Sequence, residues 1–187
     1  MLDWLINIGS NYPDFWKTYT EKFQTKSKQF VVLSIETSGL NPTEDYIMSV
    51  GAIVINQNEI LVRQVFDFNL NEFSYNLEEQ LNAKEQELII NFIDFIGNAT
   101  LIGHRIHFDI AILNEYLKKM QCGRLKNEAL DVEVMYKKWK DTNEKTFTVE
   151  ELLQEFKIEK SERNTASEDA LSLAVLFLKL KSKLNMP

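Results

Sequence analysis

The sequence predicts an α/β domain built on a mixed sheet of about five strands, with helices on both faces. Three observations carry this. Apolar patterns of strand and helix type follow one another in the order βββ, then α-β-α-β-α-α. Gly and Pro are sparse, at 6 and 3 residues, which leaves little room for long loops. No repeat or low-complexity stretch interrupts the 187 residues, a length that suits one domain with a short extension.

Residues 1–28 hold Trp4, Tyr12, Phe15, Trp16, Tyr19 and Phe23 among polar residues, and the spacing 12, 15, 16, 19, 23 is helical. Pro13 suits the first turn of a helix beginning after Asn11. This segment reads as a helical N-terminal extension to a domain spanning 29–187. Its aromatics either pack on that domain or offer a surface to a protein partner or a second copy. Gln29 to Ile35 reads as a buried strand, and Asn41-Pro42 marks a turn. Ile47–Ile55 and Ile60–Leu70 are the second and third strands, joined near Asn56-Gln57-Asn58 by a hairpin-type link. Residues 84–97 place Leu88, Ile89, Phe92, Ile93 and Ile96 at helical spacing. Thr100–Gly103 is a short apolar strand, 109–120 a helix, and Ala129-Leu130-Asp131 the end of the last strand. Helices over 132–139, 148–156 and 166–184 complete the chain.

Composition excludes several classes. With 44 % hydrophobic and 26 % charged residues the chain is neither disordered nor fibrous. The single cysteine, Cys122, rules out a disulfide within the chain and suits a reducing, cytoplasmic setting. A four-cysteine zinc site is excluded. The apolar runs are too short for a membrane span, and the N-terminus lacks the features of a signal peptide. A net charge of −7 argues against gripping long nucleic acid by charge alone. Any such contact should be local or bridged by metal ions.

Three acids stand where the pattern wants apolar residues. Glu36 shares a strand face with Ser34 at the strand's C-terminal end, where α/β sheets form sites, or else it emerges into solvent. Asp109 precedes or caps an apolar helix. Asp169 lies on the stripe formed by Ala166, Ala170, Leu173 and Phe177. A carboxylate there calls for a metal ion or for a salt bridge, with Arg105 or Arg163 as candidate partners. Glu168 has a simpler role, since Thr165-x-x-Glu168 is a capping box. Hard oxygen ligands from distant segments meeting at one sheet edge would suit Mg²⁺ or Mn²⁺.

The order of these pieces resembles the DEDDh 3′–5′ exonucleases, the family of DnaQ-like proofreading subunits. Phe30-Val31-Val32-Leu33-Ser34-Ile35-Glu36-Thr37-Ser38-Gly39-Leu40 is similar to its first motif, an apolar strand followed by Asp-x-Glu-Thr-x-Gly-Leu. Leu101-Ile102-Gly103-His104-Arg105-Ile106-His107-Phe108-Asp109 resembles the second, Gly-His-Asn-x-x-Phe-Asp, and Arg163-Asn164-Thr165-Ala166-Ser167-Glu168-Asp169 the third, His-x-Ala-x-x-Asp. The resemblance covers residues 29–184. It implies a ribonuclease-H-like fold, two divalent ions and the 3′ end of single-stranded DNA or RNA, or a nucleotide, as ligand. Glu36, Asp109 and Asp169 match its metal ligands, and Thr37 and Leu40 match contacts to the terminal nucleotide. Turn and packing are the plainer roles for Thr37 and Leu40.

The departures are as informative. The metal-bridging aspartate of the first motif is Ser34, the catalytic histidine of the third is Asn164, and the asparagine of the second is Arg105, a candidate substrate contact. A serine is a neutral, weaker ligand, so the repulsion between two dications is less compensated and the second ion should bind poorly. Asparagine takes no proton, so general-base assistance is lost. His107 or Asp131 would be the substitute base. Otherwise His107 lies in a solvated loop, Asp131 caps the following helix, and His104 hydrogen-bonds backbone at the strand end. The sequence thus points to an exonuclease-type protein with weak turnover, or to an inactive relative serving as a nucleic-acid-binding or adaptor subunit.

Overall fold

A computed structural model describes residues 12–70, 81–142, 145–160 and 165–186. Helix α1 (Asp14–Glu21) and a short 3₁₀ turn lead into β1 (Gln29–Thr37), β2 (Ile47–Asn56) and β3 (Glu59–Asn69). Then follow α2 (Ala83–Ile96), β4 (Thr100–Gly103), α3 (Ile106–Lys119), β5 (Ala129–Asp131), α4 (Val132–Lys140), α5 (Val149–Glu155) and α6 (Ala166–Lys183). The strands form one mixed sheet in the order β3-β2-β1-β4-β5. β1 pairs antiparallel with β2 and parallel with β4, and β5 joins β4 in parallel. This is the mixed five-stranded sheet with helices on both faces that the sequence predicts.

The period-2 alternation of β1 divides the core. Val31 and Leu33 face α1, α2 and α3, in a cluster with Trp16, Phe92 and Leu113. Val32 faces the other way, in a cluster with Ile53, Ile102, Leu152 and Phe177, so α4, α5 and α6 cover that face. Burial on both faces explains why β1 and β2 read as continuous apolar runs. The link at Asn56-Gln57-Asn58 is a hairpin turn in which Gln57 takes a positive φ of 57°. Lys181 on α6 donates to its backbone and to Asn58 Oδ1 at 2.9 Å.

Several boundaries differ from those read off the sequence. Pro13 precedes α1 rather than sitting in its first turn. Trp16 and Tyr19 are buried in the core beside α2 and α3, while the extension's first residues, 1–11, lie outside the described set. α3 begins at Ile106, three residues before the predicted start. Arg105, at its N-cap, adopts a left-handed φ of 54° that turns the chain from β4 straight into the helix. His107 is therefore helical, not in a loop. Only half of the predicted Thr165–Glu168 capping box forms: Thr165 accepts from the Glu168 amide, but Glu168 Oε2 is buried without a partner.

One close approach fixes the position of α6. A Cβ added to Gly51 would lie 2.0 Å from the carbonyl carbon of Ala166 and 2.1 Å from the Ser167 amide nitrogen. Both are backbone atoms and cannot swing aside, so only glycine lets the start of α6 rest on β2. Gly51→Ala is expected to cost about 2–3 kcal/mol, read as a lower urea midpoint. An unchanged midpoint would mean that α6 does not seat on β2.

Candidate functional site

The close approach at Gly51 also builds the site. Gly51 is the cross-strand partner of Ser34, so the first turn of α6 lies over the end of β1 that carries Ser34 and Glu36. On the other side, β1 runs parallel to β4, and the chain leaving β4 enters α3 at once. The C-terminal ends of β1, β4 and β5 and the start of α6 thus share one edge of the sheet, the place where α/β folds form sites.

Glu36 does not emerge freely into solvent. It is half-buried, and its carboxylate accepts a hydrogen bond from Ser49, its buried cross-strand partner. Asp169 is half-buried in the first turn of α6, beside the fully buried stripe rather than on it. Its Oδ1 is 3.1 Å from Lys160 Nζ. Lys160 thus takes the place expected of Arg105 or Arg163. Arg163 and Asn164 lie outside the described residues, and Arg105 directs its Nε at Glu133 Oε2, 4.0 Å away, with the side chain 57 % exposed.

Asp109 sits in the first turn of α3 and is buried, so it is not the N-cap. Gly103, at the end of β4, lies beside it: a Cβ at 103 would be in ordinary contact with Asp109 Oδ2, at 3.5 Å. Among the described residues its carboxylate has no hydrogen-bond or ion-pair partner. Burial, and secondly the negative charge of Asp131, push its pKa well above the ordinary carboxylate value. Asp131 is anchored from two sides. Its Oδ1 accepts from the Glu133 amide at 2.8 Å, as the predicted cap of α4, and its Oδ2 from the Ile106 amide at 3.2 Å. The starts of α3 and α4 thus both face it.

The remaining candidates are placed as follows. His104 Nε2 is 2.7 Å from the Phe147 carbonyl oxygen, a backbone contact as expected for this histidine. His107 is exposed. Thr37 donates to the Gly39 carbonyl at 2.7 Å, its turn role. Leu40 is 83 % exposed, so packing does not explain it. Two features had no sequence signal. Ser49 reaches Glu36 only through the strand register. Lys160 reaches Asp169 from an unpatterned segment. Glu133 also gathers partners: Lys137 Nζ at 2.7 Å, His104 Nε2 at 3.7 Å and the Phe147 amide at 3.0 Å. Burial opposes its ionisation, but Lys137 and that amide hold its carboxyl below the usual range.

These donors do not fit the two-ion centre that the resemblance implies. Position 34 is a neutral hydroxyl, Glu36 is engaged by Ser49, and Asp169 is paired with a cation. Among the described residues no group of three His, Cys, Asp or Glu side chains is placed to hold a metal ion.

No family model matches the chain. It is similar to PolC-type DNA polymerase III of Latilactobacillus sakei, at 25 % identity over 168 residues, 84 % of this chain and 12 % of that protein. The corresponding protein of Caldanaerobacter subterraneus is 27 % identical over 169 residues, 83 % of this chain and 12 % of its own length. The chain therefore spans about an eighth of these relatives. Among solved structures, product-bound exonuclease I superposes with a TM-score of 0.68 at 13 % identity, over 86 % of this chain and 45 % of that one. A zinc-bound complex of Escherichia coli exonuclease I with single-stranded DNA gives 0.66 at 14 %, over 83 % and 41 %. Cell-death related nuclease 4 gives 0.65 at 10 %, over 85 % and 64 %. Among the described residues no helix is long and apolar enough to cross a membrane. The chain is thus similar in sequence to a part of PolC-type DNA polymerase III and shares its fold with exonuclease I and cell-death related nuclease 4.

Proposed function

We propose that the chain binds the 3′ end of single-stranded DNA or RNA at the C-terminal edge of β1 and hydrolyses it weakly or not at all. The observation that carries this reading is Asp109. A buried acid with no partner among the described residues, next to a second acid, costs stability, and folds keep such groups where a ligand uses them. Arg105, held in a left-handed conformation beside it, is a second strained feature at the same edge. The exposed Leu40, at the turn after β1, is free to meet a terminal base. The weak turnover follows from Ser34 and Asn164. The position that would bridge metal ions is neutral, and the position that would take a proton from water cannot do so.

The reading is tested with a fluorescent single-stranded oligonucleotide, offered with a free 3′ end or as a circle. The linear strand is expected to bind with a micromolar dissociation constant and to remain largely uncut over hours in Mg²⁺ or Mn²⁺. Equal affinity for the circle would remove the end-binding reading. Rapid degradation would remove the claim of weak turnover.

A further inference from the structure

We propose that the Lys160 ammonium stands in for a divalent ion at this edge: it is the cation that meets the terminal phosphate of a bound strand, so the chain holds nucleic acid without metal. This deepens the end-binding reading and rests on it. The argument begins from the mismatch between the side chains and a two-ion centre. Asp169, a metal ligand by resemblance, is ion-paired with Lys160 at 3.1 Å. Lys160 makes no ion pair with any other carboxylate among the described residues. The pair is half-buried, with the lysine side chain 35 % exposed and the aspartate 23 %. An ammonium has three N–H donors, and Asp169 uses one, so donors remain for an incoming phosphate oxygen.

The other departures from the motif change the charge in the same direction. Ser34, on the strand face that the start of α6 covers, removes a negative charge where the motif has aspartate. Arg105 adds a positive charge where the motif has asparagine, and its side chain is 57 % exposed and only loosely held by Glu133. An acidic pocket repels phosphate unless a dication neutralises it. An edge that carries a hydroxyl in place of an acid, and whose Asp169 already holds an ammonium, has less need of the dication. The alternative is that Lys160 merely pins the start of α6, since exposed ion pairs contribute little to stability or to binding.

Fluorescence anisotropy of a short oligothymidylate with the full chain separates these cases. The native protein is expected to bind equally well, within about twofold, in chelator and in Mn²⁺. Lys160→Gln should weaken binding in chelator about tenfold, the effect of losing one charge-assisted contact, while Lys160→Arg retains it. Asp169→Asn frees the lysine and should leave binding in chelator intact or tighter, the opposite of what loss of a metal ligand does. Thermal melts of each variant confirm folding. The proposal is overturned if native binding appears only with Mn²⁺, if Lys160→Gln binds like the native protein in chelator, or if Asp169→Asn abolishes binding. Absence of binding by the native protein under both conditions would instead overturn the end-binding reading on which the proposal stands.

Discussion

Replacing Ser34 with aspartate and Asn164 with histidine is expected to turn a binder into a nuclease. The end of β1, the start of α3 and the start of α6 meet at one sheet edge, and Glu36, Asp109 and Asp169 are retained. What the edge lacks is negative charge at position 34, and what the third motif lacks is a group at 164 that can take a proton. Aspartate at 34, the cross-strand partner of Gly51, would face the first turn of α6. The added charge favours a dication over the Lys160 ammonium, because a divalent ion gains more from each further carboxylate. Histidine at 164 adds general-base assistance, worth about 10²–10⁴ in rate. The double variant should therefore shorten a labelled single strand from its 3′ end in Mn²⁺ at least a hundredfold faster than the native chain, with loss of activity in chelator. Adding Lys160→Gln should raise the rate further by freeing Asp169. A double variant that binds DNA but cuts no faster than the native chain would show that the defect lies in the arrangement of the acids, not in their number.

The fold was largely legible because its signals are local. Period-2 and period-3.6 patterns locate each strand and helix of the described chain to within a few residues, and the buried runs of β1 and β2 mark the centre of the sheet. The candidate site was legible only in part. The sequence shows which acids sit at element ends, and motif order suggests that they belong together. It is blind to partners chosen by tertiary geometry. Ser49 engages Glu36 through an antiparallel register that no single strand reveals. Lys160 lies nine positions before Asp169 in a segment without periodicity, so nothing marks it as the closing ion pair. The start of α3 was misplaced for a related reason. Arg105 adopts a conformation favoured by glycine and asparagine, and the adjoining edge, not its own propensity, holds it there.

Asp109→Asn should make the protein more stable near neutral pH, and the gain should depend on pH. In the native fold, burial and the nearby Asp131 raise the Asp109 pKa well above 3.8. Below the ordinary carboxylate range, both the folded and the unfolded chain hold the proton, and the residue imposes no penalty. As the pH rises past 3.8, the unfolded chain releases the proton while the folded chain keeps it, so this contribution to stability falls. The loss is complete once the pH passes the raised folded-state pKa. Asparagine has nearly the same shape and never ionises. Its advantage over the native residue should be small at pH 4 and should grow as the pH rises toward 8. Urea midpoints across that range check it, and parallel curves for the two proteins would show that the acid is not held at a cost. In the chain carrying Ser34→Asp and Asn164→His, Asp109→Asn should abolish cleavage while keeping its gain in stability. A residue whose loss strengthens the fold and removes the chemistry is kept for the ligand, because packing alone would have favoured the neutral side chain.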